Sequence, residues 1–128
     1  MTSIEKCPCG SDKDFQSCCS RIHSDLKNAL SAEELMRARY SAFVKQNIEF
    51  LYNTFHPSIR RFQNKRDIEI WAKQNKWMQL EIIKSTPFTV EFKAHYLDAQ
   101  LQLEIHHEKS TFKQLNNCFY YVDGELVD

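Results

Sequence analysis

Residues 7–19 of this 128-residue chain read CPCGSDKDFQSCC, and their cysteines predict the structure of the N-terminal end. It holds four of the five cysteines in the chain, Cys7, Cys9, Cys18 and Cys19. Four thiolates that converge on one centre make the tetrahedral site typical of structural zinc, with sulfur–zinc distances of about 2.3 Å. The spacing C-x-C-x8-C-C therefore predicts a small metal knuckle that holds one ion.

Two short corners bring the four cysteines together in this prediction. Gly10 can adopt positive φ, so the chain can turn sharply after the first pair. Ser11 is then the expected N-cap of a single helical turn over residues 12–17. That turn carries Cys18 and Cys19 back toward the ion.

Disulfides and redox chemistry are the alternatives to a metal site. Structural disulfides are rare in the reducing cytoplasm, and a bridge between the adjacent Cys18 and Cys19 would strain their peptide. The C-x-x-C spacing of redox pairs is missing. A site closed by four protein ligands is structural, since a catalytic zinc keeps one position open. Zinc is the expected ion, and iron stays open because it also accepts tetrahedral sulfur.

The run CPCGSDKDFQSCC resembles the SEC-C motif, a zinc-binding segment best known from the bacterial protein-translocation ATPase, where it docks partners. Asp12 stands where that motif usually has glycine. The resemblance implies that the knuckle presents an exposed surface to a protein partner, with RNA as the alternative. The expected docking residues are Lys6, Lys13, Phe15 and Gln16.

Length and charge limit the rest of the chain. Its 128 residues suit one main domain with an appendage, and we expect a knuckle over 1–25 and an α+β domain over 26–128. The 17 Lys and Arg balance the 17 Asp and Glu, so net charge gives no support to nucleic-acid or membrane binding. No apolar run is long enough to span a bilayer and no signal peptide is recognisable, so we expect a cytoplasmic protein.

The best-marked helix is predicted over residues 32–46. Ser31 and Glu34 form a capping box at its start, and Leu30 is expected to staple onto Leu35. A second helix should begin after Asn47 and end at the His56–Pro57 pair. A third is predicted over residues 65–75, with its buried side formed by Ile68, Trp71 and Ala72.

Beyond Lys76 the apolar period changes from helical to two, which indicates half-buried strands. Met78, Leu80 and Ile82 alternate with other residues in the first strand, and Leu101, Leu103 and Ile105 continue the alternation in the third. Asp123–Gly124 closes the fourth. Helices followed by antiparallel strands predict an α+β fold, with three helices packed on one face of a curved four-stranded antiparallel sheet.

Four stretches of this half resemble the YchJ-like family of uncharacterised bacterial proteins, which join a SEC-C knuckle to a nuclear-transport-factor-2-like domain. They are LMRARYSAFV (35–44), FLYNTFHPSIR (50–60), HHEKSTF (106–112) and FYYVDG (119–124). The resemblance implies a cone-shaped, cystatin-like domain with a pocket at its wide end. The pocket candidates carried by these stretches are Arg39, Tyr40, His56, Glu108, Ser110 and Tyr121.

Each pocket candidate also has a structural explanation. Arg39 and Glu108 form either a buried ion pair or a pocket-lining polar pair. His106 and His107 point to opposite faces of a strand, so they cannot share a metal without a bulge. Cys118 is expected to be a small buried hydrophobe. No set of residues forms a convincing acid–base pair, and we therefore expect binding in preference to catalysis.

Two functions follow from the sequence. The first is a zinc-binding adaptor whose knuckle docks a partner. The second is a small-molecule enzyme or carrier, of isomerase or dehydratase type, that uses the cone pocket.

Overall fold

The N-terminal segment is built from short elements. In a computed structural model, which describes residues 5–128, an antiparallel bridge pairs Lys6 with Asp14. A 3₁₀ turn over Phe15–Ser17 leads into helix α1, Cys19–Ser24, and a second 3₁₀ turn covers Leu26–Asn28. The knuckle sequence therefore runs directly into a helix.

Helix α2 spans Ala32–Lys45 and confirms the helix predicted there. The Ser31 hydroxyl accepts the N–H of Glu34 at 3.1 Å, and Oε1 of Glu34 accepts the N–H of Leu30 at 3.3 Å. The predicted staple between Leu30 and Leu35 is wrong, because Leu30 is 78% exposed. The hydrogen bonds of the capping box thus form without the hydrophobic staple that often accompanies them.

Helix α3 covers Ile48–Asn53 and ends before the position predicted from the sequence. The Thr54 carbonyl accepts the N–H of Tyr121, and the Tyr121 carbonyl accepts the N–H of His56, both at 2.8 Å. These bonds draw the chain out of the helix and toward the sheet. Helix α4, Pro57–Arg60, follows as a separate single turn.

Helix α5 spans Lys65–Gln74 and confirms the third predicted helix. The Asn64 side chain caps its first turn. Ala72 is buried as expected, whereas Trp71 is 36% exposed. The described residues thus contain five α-helices where the sequence predicted three, because the short helices α1 and α4 were not foreseen.

Four antiparallel strands follow in the sheet order β1–β2–β3–β4, which confirms the predicted α+β class. Their bounds are Lys76–Ser85 for β1, Thr89–Leu97 for β2, Leu103–Leu115 for β3 and Cys118–Leu126 for β4. Bulges interrupt the register twice in β1 and once between β3 and β4. Bulges of this kind bend strands. Helix α2 packs against β1, β2 and β4.

One continuous core joins the knuckle to the sheet. Leu35 and Ala38 of α2 pack in the same buried cluster as Val90 of β2 and Phe112 of β3, and the cluster extends to the knuckle cysteines and Ile22. Helix α2 is therefore the central element, with the knuckle and the sheet both packed against it.

The apolar alternation predicted for β1 breaks at a bulge. Leu80 is buried, but Met78 is 53% exposed. The register shifts between Trp77 and Gln79, so Trp77 packs against the core in place of Met78. An extra residue in a strand reverses which side chains point inward.

The first half of the inner face of β3 is polar, contrary to the pattern predicted for this strand. Leu103 and Ile105 are exposed. His106 and Glu108 face the interior of the cone, and Ser110 lies fully buried beyond them. His106 and Glu108 are polar because this part of the strand forms one wall of an internal cavity.

Candidate metal centre and internal cavity

The first two cysteines lie on the hairpin that opens the chain. The Cys7 N–H donates to the Lys13 carbonyl at 2.8 Å, and the Gly10 N–H donates to the Cys7 carbonyl at 3.3 Å. Gly10 has a φ of +83°, a conformation that only glycine adopts at little cost. The tight turn at Gly10 therefore directs Cys7 and Cys9 to the same side.

The second pair stands at the start of α1, but not in the way that the sequence predicted. Ser11 caps no helix, and Asp12 has a φ of +69°, which a helix cannot include. The helical turn is limited to Phe15–Ser17. The Ser11 hydroxyl instead lies 3.1 Å from the sulfur of Cys18.

The four sulfur atoms of Cys7, Cys9, Cys18 and Cys19 all lie within 4.8 Å of one another. The sulfurs of Cys9 and Cys18 are 3.7 Å apart, and those of Cys18 and Cys19 are 4.0 Å apart. A tetrahedron of sulfurs about 2.3 Å from a central zinc has edges of about 3.8 Å. All five cysteines are free. The donor set therefore fits a tetrahedral metal ion, and the distances are far too long for disulfides.

Helix α2 supports this cluster from one side. The Cys7 sulfur contacts the Ser41 hydroxyl at 3.5 Å, and Arg37 donates through Nη1 to the Cys9 carbonyl at 2.7 Å. His23 donates from Nε2 to the Ala38 carbonyl at 2.8 Å. Burial lowers the pKa of His23, so it holds this place as a neutral ring.

The thiols also interact strongly with one another. A hydrogen bond from Cys19 lowers the pKa of the Cys7 thiol, and the same bond raises the pKa of Cys19. Thiols packed this closely share protons unequally, and a divalent cation stabilises them all as thiolates.

The expected docking residues are not equivalent. Lys6, Lys13 and Gln16 are exposed, although Lys6 donates to the Asp12 carbonyl. Phe15 is only half-exposed, which corrects the expectation of a free ring: its ring packs edge-on against His23 and lies beneath the Lys45 ammonium.

A second feature is a cavity of about 430 Å³ between α2, α5 and the sheet. Seven of its lining residues are aromatic, and Arg39, His106, Glu108 and Asp123 add charged groups or an imidazole. The aromatic residues are Tyr40, Phe43, Phe55, Trp71, Trp77, Phe92 and Tyr121.

Glu108 is the most fully hydrogen-bonded carboxylate of the cavity. Its Oε1 accepts from Nε2 of His106 at 2.8 Å, and its Oε2 accepts from the hydroxyls of Ser110 and Tyr121. Burial alone would raise the pKa of Glu108, but these three bonds lower it below its usual value. The carboxylate is therefore ionised and held in place.

Gly124 leaves the space that this carboxylate occupies. A Cβ at this position would lie 2.2 Å from the Tyr121 hydroxyl and 2.3 Å from Oε2 of Glu108. Only glycine fits beside the Tyr121–Glu108 bond.

Arg39 lies over the face of the Tyr121 ring. Its guanidinium carbon stands 4.6 Å from the centre of that ring and 4.7 Å from that of Phe55. Burial lowers the pKa of Arg39 to about 10, with Tyr121 and Glu108 acting in the opposite direction. Arg39 and Glu108 form no direct ion pair, because the Tyr121 ring lies against the guanidinium and its hydroxyl bonds the carboxylate. Both residues line the cavity.

The remaining pocket candidates divide between the cavity and the surface. Tyr40 is buried against the cavity, and burial raises its pKa to about 12. Ser110 lies behind Glu108, to which it donates. His56 lies outside the cavity lining: its Nδ1 accepts the N–H of Ser58 and caps α4. The structure thus brings Arg39, Tyr40, Glu108 and Tyr121 together and leaves His56 apart.

A family model described as "YchJ, middle NTF2-like domain" matches residues 31–124, which hold α2 to β4 and the whole cavity. The chain belongs to the YchJ-like family. This confirms the family and fold predicted from the sequence, a YchJ-like chain with a nuclear-transport-factor-2-like domain.

Two UPF0225 proteins are similar along nearly the whole chain. A UPF0225 protein of Photorhabdus laumondii is 39% identical over 127 residues, which cover 94% of this chain and 80% of that protein. A UPF0225 protein of Geobacter sulfurreducens is 35% identical over 131 residues, which cover 97% and 80%.

Two solved structures have the same fold as this YchJ-like chain. The solution structure of a SEC-C motif containing protein from Rhodopseudomonas palustris has a TM-score of 0.88 at 28% identity, and covers 97% of this chain and 100% of that one. The crystal structure of a SEC-C motif containing protein from Psychrobacter arcticus has a TM-score of 0.82 at 34% identity, and covers 98% and 85%.

Across residues 5–128 of this YchJ-like chain, the helices are all too short or too polar to cross a bilayer.

The cavity also contains residues that were not predicted from the sequence to line it, chiefly His106, Trp71 and Trp77. The signal for His106 was present in the sequence. His106, Glu108 and Ser110 occupy alternate positions of β3, and a polar alternation in a strand beside a core marks a lined cavity.

Proposed function

We propose that this protein is a metal-binding adaptor in which one structural Zn²⁺ bound by Cys7, Cys9, Cys18 and Cys19 shapes a docking knuckle for a protein partner. The observation that carries the proposal is the approach of the four sulfurs to within 4.8 Å of one another. The two solved relatives described as SEC-C motif containing proteins support the same interpretation.

The ion would be structural because thiolates fill all four tetrahedral positions and leave none for water or substrate. It would cross-link the hairpin of Cys7 and Cys9 to the start of α1, a segment too short to bury a core of its own. Reduced thiolates persist in the cytoplasm, where we propose that the protein acts.

Metal analysis of the full chain, purified under reducing conditions, tests the first half of the proposal. We expect elemental mass spectrometry to find one zinc ion per chain. Cys9→Ser should abolish it, and Cys118→Ser, in the buried free cysteine of β4, should leave it unchanged. A coloured protein with thiolate-to-iron absorption would assign iron to the site, and a metal-free chain would contradict the proposal.

The docking half rests on exposed side chains that the ion would hold in place, Lys13 and Gln16. We propose that a protein partner contacts them. The double variant Lys13→Ala/Gln16→Ala should lose a partner captured by the wild type while it retains its metal. Phe15 is left intact because its ring packs against His23. Lys113→Ala, on an exposed position of β3, is the matched control.

The outcomes of this experiment are separable. Loss of capture in the knuckle variant alone supports the docking surface. Equal capture by both variants contradicts it, and capture that disappears on nuclease treatment would replace the protein partner with RNA.

A second function is supported by the cavity. A space of about 430 Å³ with aromatic walls and buried charged residues has the size and character of a small-molecule site. We propose that it binds a small molecule, as a carrier or as an enzyme. A rise in melting temperature with a ligand, abolished by filling the cavity with Ala94→Phe, tests this; Ala94 lines the cavity and is buried.

A further inference from the structure

The cavity contains a buried cation whose hydrogen-bonding capacity is only partly used. Arg39 is 5% exposed, and Nη1 alone makes its bonds, to the carbonyl of Leu51 at 3.1 Å and to the hydroxyl of Thr54. Within residues 5–128, Nε and Nη2 have no acceptor, although the guanidinium lines the cavity. A buried guanidinium with free donors favours an acceptor in the cavity.

The same cavity as Arg39 is lined by tryptophan and phenylalanine rings, which offer flat apolar surfaces. The Trp77 ring lies 5.3 Å from that of Phe43 and 5.7 Å from that of Trp71. Trp77 has already used its one polar group, because Nε1 donates to the Ala72 carbonyl at 3.1 Å. These rings therefore contact a ligand through apolar faces, which suits a planar ring system.

The acidic groups of the cavity are less available than Arg39. Glu108 accepts hydrogen bonds from His106, Ser110 and Tyr121, so little of its acceptor capacity is left for a cationic ligand. Asp123 lies exposed at the edge and accepts the N–H of Gly124. Arg39 is thus the charged group of the cavity that is both buried and only partly hydrogen-bonded, and it is positive.

We propose that the cavity binds a small planar aromatic carboxylate, with the carboxylate on Nε and Nη2 of Arg39 and the ring against the aromatic lining that includes Trp71 and Trp77. This inference rests on the second proposed function and adds the chemical class of the ligand. A guanidinium and a carboxylate match in geometry and charge, and burial strengthens the bonds between them.

Three probes of equal shape and different charge test the class: 2-naphthoate, 2-naphthamide and 2-naphthylmethylammonium. Titration calorimetry on the full chain at neutral pH should give binding of the naphthoate at least about tenfold tighter than of the amide, as expected for charge-assisted bonds. The ammonium should bind more weakly still, because it would face the Arg39 guanidinium.

Variants assign the preference to Arg39. Arg39→Gln should bring the affinities for naphthoate and amide together, and Arg39→Lys should keep part of the difference. Arg66→Gln, on the exposed face of α5, should leave all three affinities unchanged. Trp71→Ala should weaken the naphthoate and the amide alike. If Arg39→Gln does not fold, the comparison of probes on the wild type and on Arg39→Lys still decides.

The results that overturn the inference are distinct from those that overturn cavity binding. Equal or tighter binding of the amide or the ammonium shows that the ligand class is wrong, while the cavity remains a binding site. Failure of all three probes to bind overturns both the class and the second proposed function.

Discussion

The hydroxyl of Tyr121 donates a 2.9 Å hydrogen bond to Oε2 of Glu108, across the pairing of β3 and β4. The same residue is tied through its backbone to Thr54 and His56, and its ring lies against Arg39. Tyr121 therefore links the sheet, the end of α3 and both buried charges of the cavity. Burial and the nearby Glu108 carboxylate raise its pKa, so it remains a hydrogen-bond donor throughout the neutral range.

Tyr121→Phe should lower the free energy of unfolding by about 1–2 kcal/mol, the usual cost of removing one bond to a buried charged group. The pKa of Glu108 should rise at the same time, because one of its three stabilising donors is lost. Denaturant unfolding and a carboxyl-detected NMR titration measure the two effects. An unchanged Glu108 pKa would show that the Tyr121 bond does not hold the carboxylate. Tyr120→Phe, the neighbour on β4, is the control.

Acid should destabilise the fold partly through Glu108. Its pKa is lower in the folded state than in the unfolded chain, so its contribution is complete above about pH 4.3 and is lost as the pH falls through the folded value. The stability difference between the wild type and Glu108→Gln should therefore shrink on acidification. Comparing the two proteins cancels the effect of acid on the cysteine cluster, which both contain. A difference that stays constant to pH 2.5 would contradict the prediction.

Gly124→Ala should destabilise the protein by about 1–3 kcal/mol, the range seen when a methyl group is forced into a filled site. The new Cβ would lie 2.2 Å from the Tyr121 hydroxyl and 2.3 Å from Glu108. Chemical denaturation measures the loss, and the NMR signal of His106 should shift as its partner Glu108 moves. Wild-type stability in this variant would mean that the carboxylate can move aside freely.

Arg37→Ala should weaken binding of the proposed metal ion about tenfold without unfolding the protein, the lower end of what outer-sphere contacts contribute. Arg37 donates to the Cys9 carbonyl at 2.7 Å and pairs with Glu33. Competition with a chromophoric chelator gives the affinity. Glu33→Gln removes the ion pair but leaves the bond to Cys9, and should keep the affinity within about twofold. An equal loss of metal affinity in both variants would show that the Arg37–Glu33 ion pair, and not the bond from Arg37 to Cys9, supports the site.

Chelation should loosen residues up to about 25 and leave the domain over 26–128 folded. Helix α2 and the four strands supply Leu35, Val90 and Phe112 and most other members of the shared core, so this part of the chain should keep a core of its own when the knuckle loosens. Hydrogen exchange by mass spectrometry should show loss of protection confined to the N-terminal peptides, with a lower melting temperature because contacts such as His23 to Ala38 are lost. Loss of protection throughout the chain would show that the division into knuckle and domain is wrong.

The features that could be predicted from the sequence are those set by local chemistry. Ser31 and Glu34 lie three residues apart and define the start of α2 on their own. The spacing of the cysteines likewise requires only short turns to bring their sulfurs together. Signals of this kind depend on neighbours in the chain and are visible in one dimension.

The features that could not be predicted depend on residues distant in sequence. Helix α3 ends early because Thr54 bonds to Tyr121, more than sixty residues away along the chain. The exposure of Met78 follows from a bulge whose position is set by pairing with β2. His106 joins the cavity because the whole inner row of β3 faces it, which only the assembled sheet reveals.

Both tryptophans of the chain, Trp71 and Trp77, line the cavity, and neither belongs to the knuckle. Tryptophan fluorescence, excited selectively, therefore reports on the cavity. Helix α2 touches the cysteine cluster through Arg37 and Ser41 and the cavity through Arg39 and Tyr40. A change in tryptophan emission on removal of the metal would therefore show that α2 transmits a conformational change from the cysteine cluster to the cavity.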